Sequence, residues 1–361
     1  MAPIKSSLAR TIGKLLGVQA DKDLSLRGNV QASRQTVVEL QATGGTSFTD
    51  SGSKFHIFTS PGAFTVSAGT ASDIEVLVVA GGGSGGTQHG GGGGGGTVVH
   101  ATSQTISTPG PYTVTVGDGG GAASPPFSGK DGSNGGLSQF GSPGDSIYII
   151  SKGGGYGGGY QNQGGAGDTG TPGGTGGGAS GQGGPRQGGT GTAPSTSPGP
   201  ANTTDTGGKS YFNNGGDAPA SAGGGGSGAG EDGDDCVPSP GSGGQGGDGQ
   251  PFPSFPGPGL YNAAPSPLQS TLGTAWRDAL GSSGLFAGGG GGAGHLGPTQ
   301  GSPGGTGGGG DGAPHVPGGS SPVSDPGTDY TGGGGGGSGA NDRVNGLGGK
   351  GIVIVKYTAP S

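Results

Sequence analysis

Gly351-Ile352-Val353-Ile354-Val355-Lys356-Tyr357 is the stretch whose reading decides the fold. Apolar, β-branched and opened by a glycine, it reads as an unmistakable strand. Roughly two hundred residues with almost no strand signal precede it. Such a segment cannot be left in water, so it is expected to return to strands near the other end of the chain. That return would pin both ends of the intervening region to one folded platform.

The strands it needs lie upstream. From about Thr36 the pattern has period two. Phe55 to Phe58 and Phe64 to Val66 alternate, and Ile74 to Ala80 is nearly continuous. Thr97 to Ala101 and Tyr112 to Val116 follow, separated by the Pro-Gly-Pro turn at 109–111, and Ile147 to Ile150 is a further candidate. The expected organisation is an N-terminal segment over 1–35, a β domain over 36–152 completed by a strand at 350–358, and a glycine-rich region over 153–349.

Glycine supplies 104 of the 361 residues, in unbroken runs such as Gly90 to Gly96 and Gly332 to Gly337. A glycine run loses more backbone entropy on ordering than any other sequence and brings no side chain to a core. Collagen is excluded, because the runs lack glycine at every third position. A flexible linker fits the composition, but a linker has no reason to alternate its runs with stretches such as Ala193 to Thr206, Glu231 to Pro240 and Pro251 to Gly284. The remaining candidate is a bundle of polyglycine-II-type helices. These have no internal hydrogen bonds, and their bare backbones can approach closely enough to pair with one another. The expected fold class is therefore mainly β: an antiparallel β domain closed by the C-terminal strand, with a polyglycine-II-type bundle and a short N-terminal α-helix.

Only 26% of the residues are hydrophobic, which confines an ordinary core to part of the chain. The formal charge is −7, unevenly spread. Residues 1–34 carry +4, leaving −11 for the remainder. A basic end on an acidic body points to one end that docks elsewhere. Without interleaved aromatics it does not point to nucleic acid. Ile4, Leu8, Ile12 and Leu15 form a helical apolar stripe with no partner in its own segment, so they are candidate attachment residues. Cys236 is the only cysteine, so no intrachain disulfide is possible. No apolar run approaches the roughly 20 residues of a membrane span, and the N-terminus lacks the apolar region of a secretory signal.

Catalytic motifs carry little weight in this background. Gly82-Gly-Ser84-Gly-Gly86 matches a nucleophile elbow, but glycine this abundant produces such matches by chance. Gly207-Gly208-Lys209-Ser210 resembles the end of a P-loop, with Thr203 where its first glycine belongs. The histidines at 56, 89, 100, 295 and 315 show no metal-ligand spacing. No enzyme activity and no cofactor are expected. Asp232, Asp234 and Asp235 could attract Ca²⁺. They lack an EF-hand register, so a solvated loop is the preferred reading and no metal is assigned. Phe252, Phe255, Tyr261 and Trp276 crowd into one stretch of a chain with only 19 aromatics. They read either as a satellite core or as a binding tip, and are the candidate receptor-contact residues.

Gly44-Gly-Thr46, Lys54-Phe-His-Ile-Phe-Thr59, Gly62-Ala-Phe-Thr-Val66, Val76-Leu-Val-Val-Ala-Gly-Gly-Gly83 and the closing Gly-Lys-Gly-Ile-Val-Ile-Val-Lys-Tyr together resemble the glycine-rich virion proteins of tailed bacteriophages, especially fibre and adhesin components of marine phages. The resemblance covers residues 44–159 and 345–358, and the middle only in style. It implies a virion structural protein at the particle surface, assembled in the host cytoplasm. Specifically, it implies a tail fibre or receptor-binding tip, homotrimeric, held to a tail or adaptor protein by its N-terminus. Its loops would contact a bacterial surface receptor, a glycan or an outer-membrane protein. Two alternatives stay open: a capsid-surface fibre or decoration protein, and a free ice-binding glycine-helix protein.

Overall fold

Among the described residues, thirteen strands and two helices form where the sequence alternates or carries a helical stripe. The computed structural model describes residues 40–360 apart from 108–109, 124–128, 161–173, 182–184, 192–208, 220, 239–240, 296–300, 318–320 and 340–342. The expected N-terminal helix and its stripe at Ile4, Leu8, Ile12 and Leu15 lie outside the described residues. Strands β1 (Gln41–Thr43), β4 (Gly62–Ala68), β7 (Gly110–Thr115), β8 (Ser138–Phe140) and β9 (Ile149–Ser151) form a five-stranded sheet in the order β1-β4-β7-β8-β9. A six-stranded sheet is built from β2 (Thr46–Asp50), β3 (Ser53–Phe58), β5 (Thr70–Val79), β6 (Val98–Ser107), β10 (Lys209–Tyr211) and β13 (Ile352–Thr358), in the order β10-β6-β5-β13-β3-β2. The short strands β11 (Gln250–Pro251) and β12 (Leu285–Phe286) pair with each other. All these pairings are antiparallel, and neither large sheet closes into a barrel.

The C-terminal strand sits in the middle of the larger sheet. Ile354 of β13 opposes Leu77 of β5 on one side and Ile57 of β3 on the other. Period-two alternation then divides its side chains between two cores. Val353, Val355 and Tyr357 join Ile74, Val76, Val78, Phe64 and Phe140 in the core that includes residues of both sheets. Ile352 and Ile354 join Leu77 and Val79 in a second core on the opposite face. Two helices cover that second face: α1 (Gly257–Ala263) and α2 (Ser266–Leu280). Leu268, Leu272, Trp276 and Leu280 recur every fourth residue of α2 and are all buried, which is the spacing that aligns one helix face. Gly273, at φ 74, interrupts the helix between two of them.

The glycine runs leave the sheets as continuations of the strands. The run 81–86 extends β5 and the run 90–96 returns into β6. Between them, Thr87-Gln88-His89 makes a turn in which Gln88 and His89 both have left-handed φ (55° and 57°). No ladder pairs the runs two by two. The amides of Gly91 and Gly94 donate to Gly158 and Gly155, those of Gly92 and Gly95 to Gly224 and Ser227, and those of Gly90, Gly93 and Gly96 to Ser338, Gly335 and Gly332. Each neighbour is met at every third residue. Gly81 to Thr87 follow the same rule, donating in rotation to residues 130–136, 346–349 and 91–94. Runs lying inside the range expected for the β domain thus share one hydrogen-bond network with runs far beyond residue 153.

Most of these glycines have no room for a side chain. A Cβ on Gly93 would lie 2.1 Å from the carbonyl oxygen of Gly83, whereas one on Gly121 would meet nothing within 4 Å. Gly93→Ala is expected to destabilise the protein by about 1–3 kcal/mol or more through overpacking, and Gly121→Ala to leave the Tm within a degree or two. Thermal unfolding of the two variants checks this. Removing residues 350–361 takes β13 from between β5 and β3 and uncovers both cores. The expected outcome is aggregation on expression, and a soluble truncated chain with unchanged melting would contradict it.

Candidate functional site

The network of glycine runs presents its loops at the end away from the sheets. The turn at 87–89 lies there, as do residues 241–242, His295, Pro314 and Ser338. Gly181 donates to the His89 carbonyl, Gly90 to that of Ser338, His295 to that of Gly241 and His315 to that of Gly294. Four large apolar side chains are exposed among the described residues: Val237, Val323, Val344 and Leu347. The first three sit on or beside these loops. Val237 pairs with Ser242 across an isolated bridge. The carbonyl of Val344 accepts from Ser324 Oγ, and the adjacent Asn345 reaches Gly85 near the end of its run. Short loops with exposed valines on a rigid support offer contact area at little entropic cost.

The aromatic stretch lies at the opposite end, against the larger sheet. Phe252, Phe255 and Trp276 are buried in the second core. The Phe252 and Phe255 rings make near-perpendicular contacts with His100, and the Trp276 indole N–H donates to the Tyr330 carbonyl at 2.9 Å. These three are core residues that hold the helices to the sheet, because the outer faces of β5 and β13 are as apolar as their inner faces and need cover. As candidate receptor contacts they are therefore corrected. Tyr261 alone is only partly buried, with the Arg277 guanidinium 5.6 Å above its ring. The expected fold has no helices here, although the Leu268-Leu272-Trp276-Leu280 spacing carries their signal.

The acidic cluster has a structural use. Asp232 and Asp235 accept hydrogen bonds from the backbone amides of Asn214 and Asp217, both at 2.7 Å. The side chains of Asn214 and Asp217 accept in turn from Gly191 and Gly188. Asp131 and Asn134 treat Gly159 and Tyr156 the same way. Every pair is spaced by three residues, the repeat of the glycine network itself. At an edge where no further run supplies carbonyls, a carboxylate or amide oxygen takes their place. The Asp/Asn spacing of three among glycines is readable in sequence once that repeat is known.

One carboxylate is partly buried between the sheet and the helical cover. Glu75 Oε1 accepts from His100 Nε2 at 2.8 Å, and Glu75 Oε2 from Lys356 Nζ at 3.0 Å. Burial alone would raise the Glu75 carboxyl. The hydrogen bonds from His100 and Lys356 and the Lys356 charge outweigh it and hold the group at about 2. On the opposite face of the same sheet, His56 is a neutral strand residue packed against Phe64 and Tyr357. Its Nδ1 donates to the Gly44 carbonyl, so its Nε2 accepts from the Tyr357 hydroxyl. Burial lowers the His56 pKa and pushes Tyr357 up to about 12.

Two outcomes are expected. Trp276→Ala should cost about 3–5 kcal/mol in denaturant unfolding, and Tyr261→Ala far less. Glu75 has a folded pKa below its ordinary value of 4.5. Its stabilising contribution is therefore complete above about pH 4.5 and is lost as the pH falls towards about 2. Glu75→Gln should flatten the stability profile in that window, measured by unfolding at each pH.

No curated protein matches the chain. A family model described as a glycine-rich domain matches residues 59–358. That span takes in the strands from β4 to β13, both helices and every glycine run of the network. The chain belongs to this glycine-rich domain family.

Proposed function

We propose that the chain is a virion structural protein of a tailed bacteriophage, a tail-fibre component or receptor-binding tip that recognises the host surface without covalent chemistry. In this reading the glycine runs are polyglycine-II-type helices packed side by side, and the C-terminal strand closes the β domain from which they project. The observation that carries the reading is the repeat of three in the hydrogen bonds of 81–87 and 90–96. A helix with three residues per turn sends successive amides about 120° apart and so meets three neighbours in rotation. Such a bundle is stiff without a side-chain core. Its surface loops can vary in sequence while the support stays the same, which is what recognition of changing receptors needs.

The contact face in this reading is the loop end that carries Val237, Val323 and Val344, and the receptor is a surface glycan or an outer-membrane protein. The N-terminal segment would dock on a tail or adaptor protein, and a homotrimer would multiply weak contacts. Purified particles labelled with antibodies against the chain should be decorated at the tail. Label on the capsid would make it a decoration protein, and absence from particles would end the virion reading. The isolated protein should also compete with phage for adsorption to host cells. A Val237→Asp, Val323→Asp, Val344→Asp variant should lose that competition at an unchanged Tm. Equal competition by the variant would move the contact face elsewhere.

A further inference from the structure

Three glycine runs end on a histidine at the loop-bearing end of the network. The run 81–86 turns at His89, the run 287–294 leads into His295, and the run 308–313 is followed by His315. The sequence separates these residues widely, and the fold brings them together. The ring centroids of His89 and His295 are 4.7 Å apart, and those of His89 and His315 are 5.2 Å apart. The Nδ1 atoms of His89 and His295 face each other at 3.4 Å. His315 Nδ1 is buried with no hydrogen-bond partner, and so is the Oγ of Ser338, whose neighbour Gly339 packs on the His315 backbone. His89 is placed there at a cost, since it and Gln88 hold left-handed φ values that non-glycine residues avoid by roughly 1–2 kcal/mol each.

A hydrogen bond between two neutral imidazoles would explain the His89–His295 contact. At 3.4 Å it would be a long one, and it would leave the buried His315 nitrogen unused. A shared metal ion accounts for all three rings. Two nitrogens bound tetrahedrally at 2.0–2.1 Å lie about 3.3–3.4 Å apart, which is the spacing His89 and His295 already have. His89 also hydrogen-bonds the backbone of Gly294, the kind of second contact that orients a ligating imidazole. In the conformation described, no three His, Cys, Asp or Glu side chains among the described residues have converged on one point. His89 and His295 therefore supply a preset pair, and His315 is the arm that closes on binding.

We propose that His89, His295 and His315 form a three-imidazole site for a divalent transition metal of the zinc class, which ties three glycine runs together at the loop-bearing end. Three nitrogens leave a fourth position for water or another small ligand. The site goes beyond the virion reading and stands whatever the loops contact. The test uses the untagged full chain after treatment with a chelator. Cobalt(II) should give the visible bands of a tetrahedral site at one equivalent per chain. Zinc(II) should displace it and raise the Tm by several degrees. His295→Ala and His315→Ala, both at half-buried positions, should each weaken binding at least ~10-fold while leaving the circular dichroism unchanged. In the unaltered chain, zinc should shift the imidazole ¹⁵N resonances of three histidines and leave those of His56 and His100 in place. No tetrahedral cobalt spectrum, undiminished uptake in both variants, or unmoved imidazole resonances would each overturn the proposal.

Discussion

Contact between bare backbones is the constraint on which the rest of the structure depends. Gly82, Gly83, Gly92 and Gly93 all lie so close to a neighbouring carbonyl that a Cβ would sit 2.0–2.1 Å from its oxygen. At that separation a buried amide finds its acceptor on an adjacent run, so the network satisfies its polar groups by hydrogen bonds between runs. Ordering glycine costs more conformational entropy than ordering any other residue. That cost is offset only if nearly every run is surrounded, which is why the runs of the middle region pack around those that extend β5 and β6. The small residues admitted inside the network, such as Ser84, Ala179, Ser227 and Ala293, are fully buried.

A network of this kind has two weak places, its start and its edges, and the chain treats them differently. The start is fixed by an ordinary hydrophobic core. Strands β5 and β6 are paired in a sheet whose two faces are both covered, so the two runs that leave them begin in a set register and direction. The edges expose amides with no further run to receive them. There Asp131, Asn134, Asn214, Asp217, Asp232 and Asp235 supply side-chain oxygens at the same repeat of three. Much of the acidic charge that looks like a solvated loop or a cation site in sequence is thereby a boundary of the network. The arrangement explains how a chain with so few apolar residues can be ordered: side chains hold one end, and backbone hydrogen bonds hold the rest.

The aromatic stretch shows how composition misleads in such a chain. Phe252, Phe255 and Trp276 stand out because large side chains are scarce, and scarcity invites a functional reading. The physical demand on them is older than any ligand. A strand such as Ile74 to Val79 that is apolar on both faces must be covered on both, and these three do so together with Leu268, Leu272, Leu280 and Phe286. Tyr261 is left at the rim, where the Arg277 guanidinium covers part of its ring.

The sequence by itself determined the strands and the special character of the glycine runs. Period-two alternation and β-branched content mark β3 to β7 and β13 locally, and glycine density excludes a side-chain core wherever it occurs. It also carries two further local signals, the four-residue repeat of α2 and the three-residue spacing of Asp and Asn. Only the tertiary structure decided which run neighbours which, that β13 inserts between β5 and β3, that the aromatics face inward, and that His89, His295 and His315 meet. The reason is physical. Glycine runs are interchangeable in sequence, so nothing local distinguishes one partner from another, and register comes only from where each run is tied to a strand or a capped edge.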